Sequence, residues 1–269
     1  MGRLSGRVAF ITGAARGQGR SHAVRLAEEG ADVVISDICG RVETNGVAPA
    51  TPDDLAETVR LVEKTGQRVI AGQADVRDLA ALESLADQAV SEFGGINIVV
   101  ANAGILSWGN AWELSSEAWN ELIAINLTGV FHTIRATVPH MIRAKNGGSI
   151  ILTSSSAGLK GQPFTLAYTA AKHGVVGIAR GLANELGEHD IRVNSIHPAG
   201  VRTEMMNVDG LFQMIQQHAA TLGPVFMNTL PHQSMKPEDV SGVVAFLASD
   251  EARYLTGAQI PVDLGTCNR

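Results

Sequence analysis

Short β-branched runs alternate with longer Ala- and Leu-rich stretches along all 269 residues, which predicts an α/β fold: one doubly wound parallel sheet of seven strands with helices on both faces. Apolar residues make up 45% of the chain and aromatics only 4%, so the core is drawn from Ala, Val, Leu and Ile, as a sheet covered on both faces prefers. The alternation has no repeat and no low-complexity linker, which predicts a single domain over 1–269. Its crossovers should be right-handed.

The first strand candidate, Val8–Ile11, runs into Thr12-Gly13-Ala14-Ala15-Arg16-Gly17-Gln18-Gly19 and a helix over 18–29. Glycines in such a turn let the backbone bend tightly and approach a pyrophosphate, and the helix N-terminus supplies amide donors and positive potential. Strand, turn and helix together are the setting a Rossmann-type dinucleotide motif requires, so Gly13, Arg16, Gly17, Gln18 and Gly19 are candidate cofactor contacts. The second strand, Val33–Ser36, ends at Asp37-Ile38. A carboxylate there accepts from both ribose hydroxyls of an adenosine and repels a 2′-phosphate, which argues for NAD over NADP. Arg16 is the opposing sign, since a cation in the turn would pair with that phosphate unless it is solvated or partnered by Asp37.

Residues 39–52 carry Gly and Pro without periodicity, and form a long loop where a few residues would suffice. A helix over 53–65 and a strand at Val69–Ala71 lead to Asp75-Val76, placed to meet the adenine edge, although Asp75 serves equally well as the N-cap of the next helix, 79–93. The fourth strand, Ile98–Ala101, closes on Asn102-Ala103-Gly104 at the same sheet edge, and Gly104 lets the backbone pass the cofactor closely. One long helix is expected over 116–145, followed by a buried strand at Ser149–Thr153 that ends in hydroxyls. Then come a helix over 167–187, a strand at Arg192–His197, an apolar, Met-rich excursion over 203–236, a helix over 237–248 and a last strand at Gln259–Val262. The excursion reads either as a satellite core or as a substrate lid; its place at the carboxyl end of a strand favours the lid.

The net charge of −6 disfavours nucleic acid or an anionic membrane as the main partner. Cys39 and Cys267 fit no metal spacing, so no metal is expected and free thiols in a cytoplasmic protein are the plain inference. The opening Met1-Gly2-Arg3-Leu4-Ser5-Gly6 has neither a signal-peptide core nor the myristoylation pattern, and no run approaches a membrane span.

Tyr168 and Lys172 stand four residues apart, one turn on the same helix face, with Ser155 thirteen residues upstream. A phenol with an ordinary pKa of about 10 is a poor base at neutral pH. A neighbouring ammonium favours the phenolate, and a Ser hydroxyl can hold a substrate oxygen, so the three could move a proton on or off an alcohol. His173 and His197 lie nearby and read as structural.

Thr12–Gly19, Asn102-Ala103-Gly104, Asn126, Ser155, Tyr168, Lys172 and Pro198-Ala199-Gly200-Val201-Arg202-Thr203 stand in the order and spacing of the short-chain dehydrogenase/reductase family, which the chain resembles from Gly6 to Gly265. Ala101 replaces the first Asn of the family's Asn-Asn-Ala-Gly, and Ala199 is an extra residue in its Pro-Gly turn. The resemblance implies Tyr168 as acid/base and Lys172 as the group that lowers its pKa and binds the nicotinamide ribose. It further implies Ser155 on the substrate oxygen, Asn126 in a water-linked proton relay (the other reading being a buried helix Asn that satisfies its own backbone), and Pro198, Val201 and Thr203 at the nicotinamide. The reaction implied is hydride transfer between NAD and an alcohol or ketone, in a homotetramer.

Asp37-Ile38-Cys39, the following loop, Thr51-Pro52-Asp53-Asp54-Leu55-Ala56-Glu57-Thr58 and the ending Ser249–Gly257 are similar to the actinobacterial carveol-dehydrogenase-like branch. That kinship implies an external redox carrier, mycofactocin, and an NAD retained through turnover, which the 39–52 loop would cover. Leu106, Trp108, Trp112, Phe164, Met205, Met206 and Phe212 are expected near the pocket mouth, and suggest an apolar secondary alcohol such as a cyclic terpenoid. Packing against a neighbouring subunit is the other reading of the Trp pair. Lys160 and Arg202 leave an anionic group open. The rivals are an NADPH-dependent keto-reductase on acyl or steroid substrates and a non-catalytic NAD sensor, which would be expected to lose Tyr168 or Lys172.

Overall fold

Val8–Thr12 and Ile98–Ala101 are buried along their whole length, the state expected of apolar runs at the centre of a parallel sheet. A computed structural model describes residues 2–206 and 209–268. Its strands are β1 (Val8–Thr12), β2 (Asp32–Asp37), β3 (Val69–Gln73), β4 (Ile98–Ala101), β5 (Gly148–Thr153), β6 (Ile191–Pro198) and β7 (Gln259–Val262). They form one sheet in the order β3-β2-β1-β4-β5-β6-β7, every neighbouring pair parallel. The chain turns back between β3 and β4, so the crevice above the carboxyl ends of β1 and β4 is the topological switch point.

Side chains alternate between two cores. Phe10 faces one, with Leu82 and Leu85 of α3 (Leu79–Phe93), Val130 and Ile134 of α5 (Gly129–Ala144) and Val175 of α6 (Leu166–Leu186). Ala9 and Ile11 face the other, with Leu26 of α1 (Gly17–Glu28), Leu55 of α2 (Pro52–Glu63) and Val244 of α9 (Pro237–Ala248). The doubly wound seven-stranded sheet is therefore as expected.

Local chemistry sets most boundaries. Thr51 and Asp54 cap α2 reciprocally, with Pro52 in its first turn. Asp78, not Asp75, caps α3 by accepting from Ala81 N at 3.1 Å. Ser115 caps α4 (Ser116–Ile123) through Ala118 N. No side chain caps α1, whose first amides stay free at the end of the Gly-rich turn.

Two expectations needed revision. The single helix over 116–145 is α4 and α5 joined by a π-helical turn over Ala124–Thr128, where one extra residue per turn turns Asn126 inward. Most of the excursion over 203–236 is helical, with a turn at Glu204–Met206, α7 (Asp209–Gln217), α8 (Ala219–Leu222) and a turn at Gly223–Phe226. A bridge between Val201 and Met235 closes its base.

His22 of α1 is wholly buried, with Nδ1 2.8 Å from Ser241 Oγ on α9. Burial pushes its pKa down to about 3 from the ordinary 6.5, so the folded chain refuses a proton that the unfolded chain accepts. The stability this neutral imidazole contributes is complete above pH 6.5 and is lost as pH falls toward 3. Denaturant unfolding at a series of pH values should show His22→Gln removing a slope of about 1.4 kcal/mol per pH unit in that window.

Candidate active site

One cavity opens above the switch point and runs from the Gly-rich turn to the excursion. Its floor begins at Gly13, whose φ of +68° is left-handed and where a Cβ would sit 2.7 Å from Ala103 Cα. At Gly19 a Cβ would meet Gly13 O at 2.0 Å, so the first turn of α1 lies directly on the loop before it. Asn102 holds the arrangement: its Nδ2 donates to Thr12 O and Gly13 O, each at 3.1 Å. The result is a cradle of uncapped amides at a helix N-terminus, shaped for a phosphate group.

Asp37 lies at the rim of the cradle, its carboxylate accepting from Ala15 N and Cys39 N at 3.0 Å. Arg16 does not pair with it; the guanidinium reaches across the cavity to Ala48 O of the 39–52 insertion. That insertion is fastened at Thr44, which donates through N and Oγ1 to Glu121 of α4 at 2.8 and 2.6 Å. Arg77 links Glu121 to Asp75, so Asp75 lines the cavity as half of an ion pair.

At the other end lie Ser155, Tyr168 and Lys172. Ser155 accepts from Ala157 N at 3.1 Å and donates to Pro198 O at 3.4 Å. Burial pushes the Tyr168 phenol above its usual value, opposed by its hydrogen bond with Ser155. The Lys172 ammonium lies 5.6 Å from the centre of the Tyr168 ring and donates to Thr153 O at 2.7 Å. Burial pulls its pKa down to about 8. Near neutrality the phenol is therefore protonated and the ammonium mostly charged. The direction is opposite to the lowering expected from Lys172, and what opposes desolvation here is the Ser155 hydroxyl.

His197 stands beneath them. Its Nδ1 lies 2.8 Å from Ser155 O and its Nε2 2.8 Å from Ser195 Oγ. Burial lowers its pKa, so the neutral ring donates to the carbonyl and accepts from the hydroxyl, the structural role expected of it. His173 is exposed on α6.

Gly13, Arg16, Gly17, Gln18, Gly19, Asp37, Ile38, Asp75, Val76, Asn102, Ala103, Gly104, Leu106, Pro198, Val201, Thr203, Met205, Met206 and Phe212 all line the same cavity. Asn126, Trp108 and Phe164 do not. Asn126 is fully buried behind the wall, where Oδ1 accepts from Ile105 N at 2.9 Å and Nδ2 donates to Ile105 O at 2.8 Å. Its side chain is thus occupied by backbone. Trp108 lies between Gly46 and Gly210, and Phe164 packs on His218 with 5.5 Å between ring centres. Trp112 is 83% exposed. The sequence reading missed Gln162, Asn228 and Thr266, polar groups on the wall beside Lys160. They sit in irregular segments or, for Thr266, a single short turn, where no periodicity tells which way a side chain points.

The family model described as Enoyl-(Acyl carrier protein) reductase matches residues 13–267. The chain is 47% identical over 274 residues to the (-)-trans-carveol dehydrogenase of Rhodococcus erythropolis, covering 99% of each. Among solved structures it is similar to carveol dehydrogenase from Mycobacterium avium in complex with NAD, with a TM-score of 0.95, 47% identity and 100% of both chains covered. A short chain dehydrogenase from Mycobacterium paratuberculosis bound to NAD superposes with a TM-score of 0.97 at 46% identity, again over 100% of both chains.

Replacing Asn126 with Leu strands the buried Ile105 N–H and C=O together. Urea unfolding should report a loss of about 1–3 kcal/mol for each group left unpaired.

Proposed function

This chain belongs to the short-chain dehydrogenase/reductase family, and on that footing we propose that it is an NAD-dependent oxidoreductase acting on an apolar secondary alcohol or its ketone, of the cyclic terpenoid kind. The observation that carries the reading is a single cavity joining the Gly-rich cradle and Asp37 to Ser155, Tyr168 and Lys172. The residues present fit the cofactor: the first amides of α1 are uncapped beside the Gly-rich turn, and the Asp37 carboxylate at the rim of that cradle would accept from the adenosine ribose. Asp37 disfavours a 2′-phosphate, and Arg16, the feature that spoke for NADPH, is turned to Ala48 O.

When bound, NAD supplies the hydride acceptor. Ser155 holds the alcohol oxygen beside the Tyr168 hydroxyl. Tyr168 first gives up its own proton to solvent in the open cavity, and the phenolate so formed, which Lys172 favours, then takes the hydroxyl proton of the alcohol. In the opposite direction the neutral phenol, favoured by burial, is ready to protonate a ketone oxygen. Asn126 acts through Ile105 and so shapes the wall behind Lys172. Leu106, Met205, Met206 and Phe212 give the substrate an apolar bed, with Met able to adapt its shape.

In this reading the single domain carries two covers. The 39–52 insertion closes over the adenosine side, where Val42, Asn45 and Val47 line the cavity, and the 203–236 excursion serves as the substrate lid. An insertion fastened at Arg16 and Glu121 suits a cofactor retained through turnover and reoxidised in place by an external carrier such as mycofactocin. Exposed Phe131, Leu166 and Tyr254 suit burial in a homotetramer. Among the described residues no helix is long and apolar enough to cross a membrane. The two cysteines are unpaired, which suits a cytoplasmic setting.

Acid denaturation of the desalted protein should release one NAD per chain; an empty supernatant would remove cofactor retention from the reading. Deleting residues 40–50 should raise the NAD off-rate in a folded variant, and an unchanged rate would dissociate the insertion from retention. Tyr168→Phe should abolish turnover while NAD still binds, with wild-type alcohol oxidation rising with pH above neutrality and ketone reduction falling. Persistent activity in Tyr168→Phe would exclude Tyr168 as the proton-transfer group.

A further inference from the structure

The indole of Trp108 touches both covers of the cavity while standing outside its wall. A Cβ built on Gly46 of the insertion would lie 2.8 Å from Cη2 of the ring. One built on Gly210 in α7 would lie 2.9 Å from Nε1. Both separations are shorter than a side chain tolerates, so the ring lies directly against backbone on each side.

The base beneath the ring is stiff. Asn102 is tied to the Gly-rich turn, Ile105 is clamped by Asn126, and Gly109 N donates to Phe164 O at 2.9 Å. The covers themselves are not joined by hydrogen bonds: among the described residues, those of the insertion stay within it or reach Asp37, the start of α2, Arg16 and Glu121, and none reaches α7. Trp108 is thus a shared surface for two segments that come from opposite ends of the sheet.

We propose that Trp108 is a positioning residue through which occupation of the adenosine half of the cofactor site seats the substrate lid. The inference rests on the reading of the Gly-rich cradle as a nucleotide site. A nucleotide under the insertion settles Gly46 on the ring, and the settled ring gives α7 the surface on which Gly210 packs. Trp108 touches neither substrate nor cofactor, so its effect falls on binding order and affinity. The alcohol pocket is completed after the nucleotide binds, and by reciprocity a seated lid slows nucleotide departure.

The test uses ADP-ribose, which has the adenosine and both phosphates but no nicotinamide, added to full-length protein stripped of nucleotide on charcoal. Hydrogen exchange is followed over residues 40–50 and 209–217. In wild type, ADP-ribose should slow exchange in both segments, by about tenfold, within the usual range for coupled sites. Trp108→Ala should keep protection of 40–50 and lose that of 209–217. Gly46→Val should give the same separation, by pushing the exposed insertion off the ring while leaving lid and base intact. Protection of 209–217 that survives both substitutions would overturn the proposal, as would its absence from wild type when 40–50 is protected. Absence of protection at 40–50 in wild type would instead overturn the nucleotide-site reading, and the proposal with it.

Discussion

The reciprocal pair of hydrogen bonds between the Asn126 amide and the Ile105 backbone is the constraint on which the site depends. Asn126 reaches Ile105 from a π-helical turn, and Ile105 lies just past the end of β4. The pair therefore welds the middle of a surface helix to the edge of the sheet. Gly104, one residue earlier, passes so close that a Cβ there would lie 3.4 Å from Asn126 Oδ1 and 3.7 Å from Lys172 Nζ. A single buried amide thus fixes the wall behind the ammonium, the path of the backbone toward Trp108 and the position of Leu106 on the cavity surface. Its two bonds stay inside the protein, where water does not compete, and their loss would leave both peptide groups unpaired.

Burial then governs the electrostatics. Tyr168 and Lys172 are both forced toward their neutral forms, but from opposite sides: the phenol is held protonated and the ammonium is brought down to about 8. The pair differs from a surface Tyr and Lys at the same spacing in having had its water removed. The Thr153 carbonyl steadies the ammonium, and the Ser155 hydroxyl is the polar partner of the phenol. His197 stays neutral and carries no charge into this balance, while fixing the Ser155 carbonyl from below.

Much of this was legible in the sequence because it is local. Sheet and helices follow from periodicity, and the Gly-rich turn, Asp37, Ser155, Tyr168 and Lys172 fall in one cavity because each sits at the carboxyl end of a strand or at the start of a helix. What escaped depends on tertiary approach. Asn126 was seen, with backbone bonding as one of its two readings, but the extra residue in its turn and its partner Ile105 have no sequence signature. Trp108 and Phe164 were placed at the pocket mouth by their neighbours in sequence; the first lies between two glycines far off in the chain and the second stacks on His218. Asp75 was balanced between a cap and a cavity group, and Asp78 takes the cap.

The excursion over 203–236 is held unequally. Lys160 donates to Val225 O at 2.6 Å and to Thr266 O at 2.7 Å, and Thr229 and Leu230 donate through their amides to Leu264 O at 2.9 and 3.0 Å. The trailing part of the excursion is thereby riveted to the turn after β7. The leading part, α7, leaves Phe212 48% exposed and meets the body through buried Leu211 and the packing of Gly210 on an indole. The excursion is thus more firmly tied at residues 225–230 than along α7. In the proposed lid reading, the nine-residue helix α7 would be the part that lifts, on the side next to the insertion.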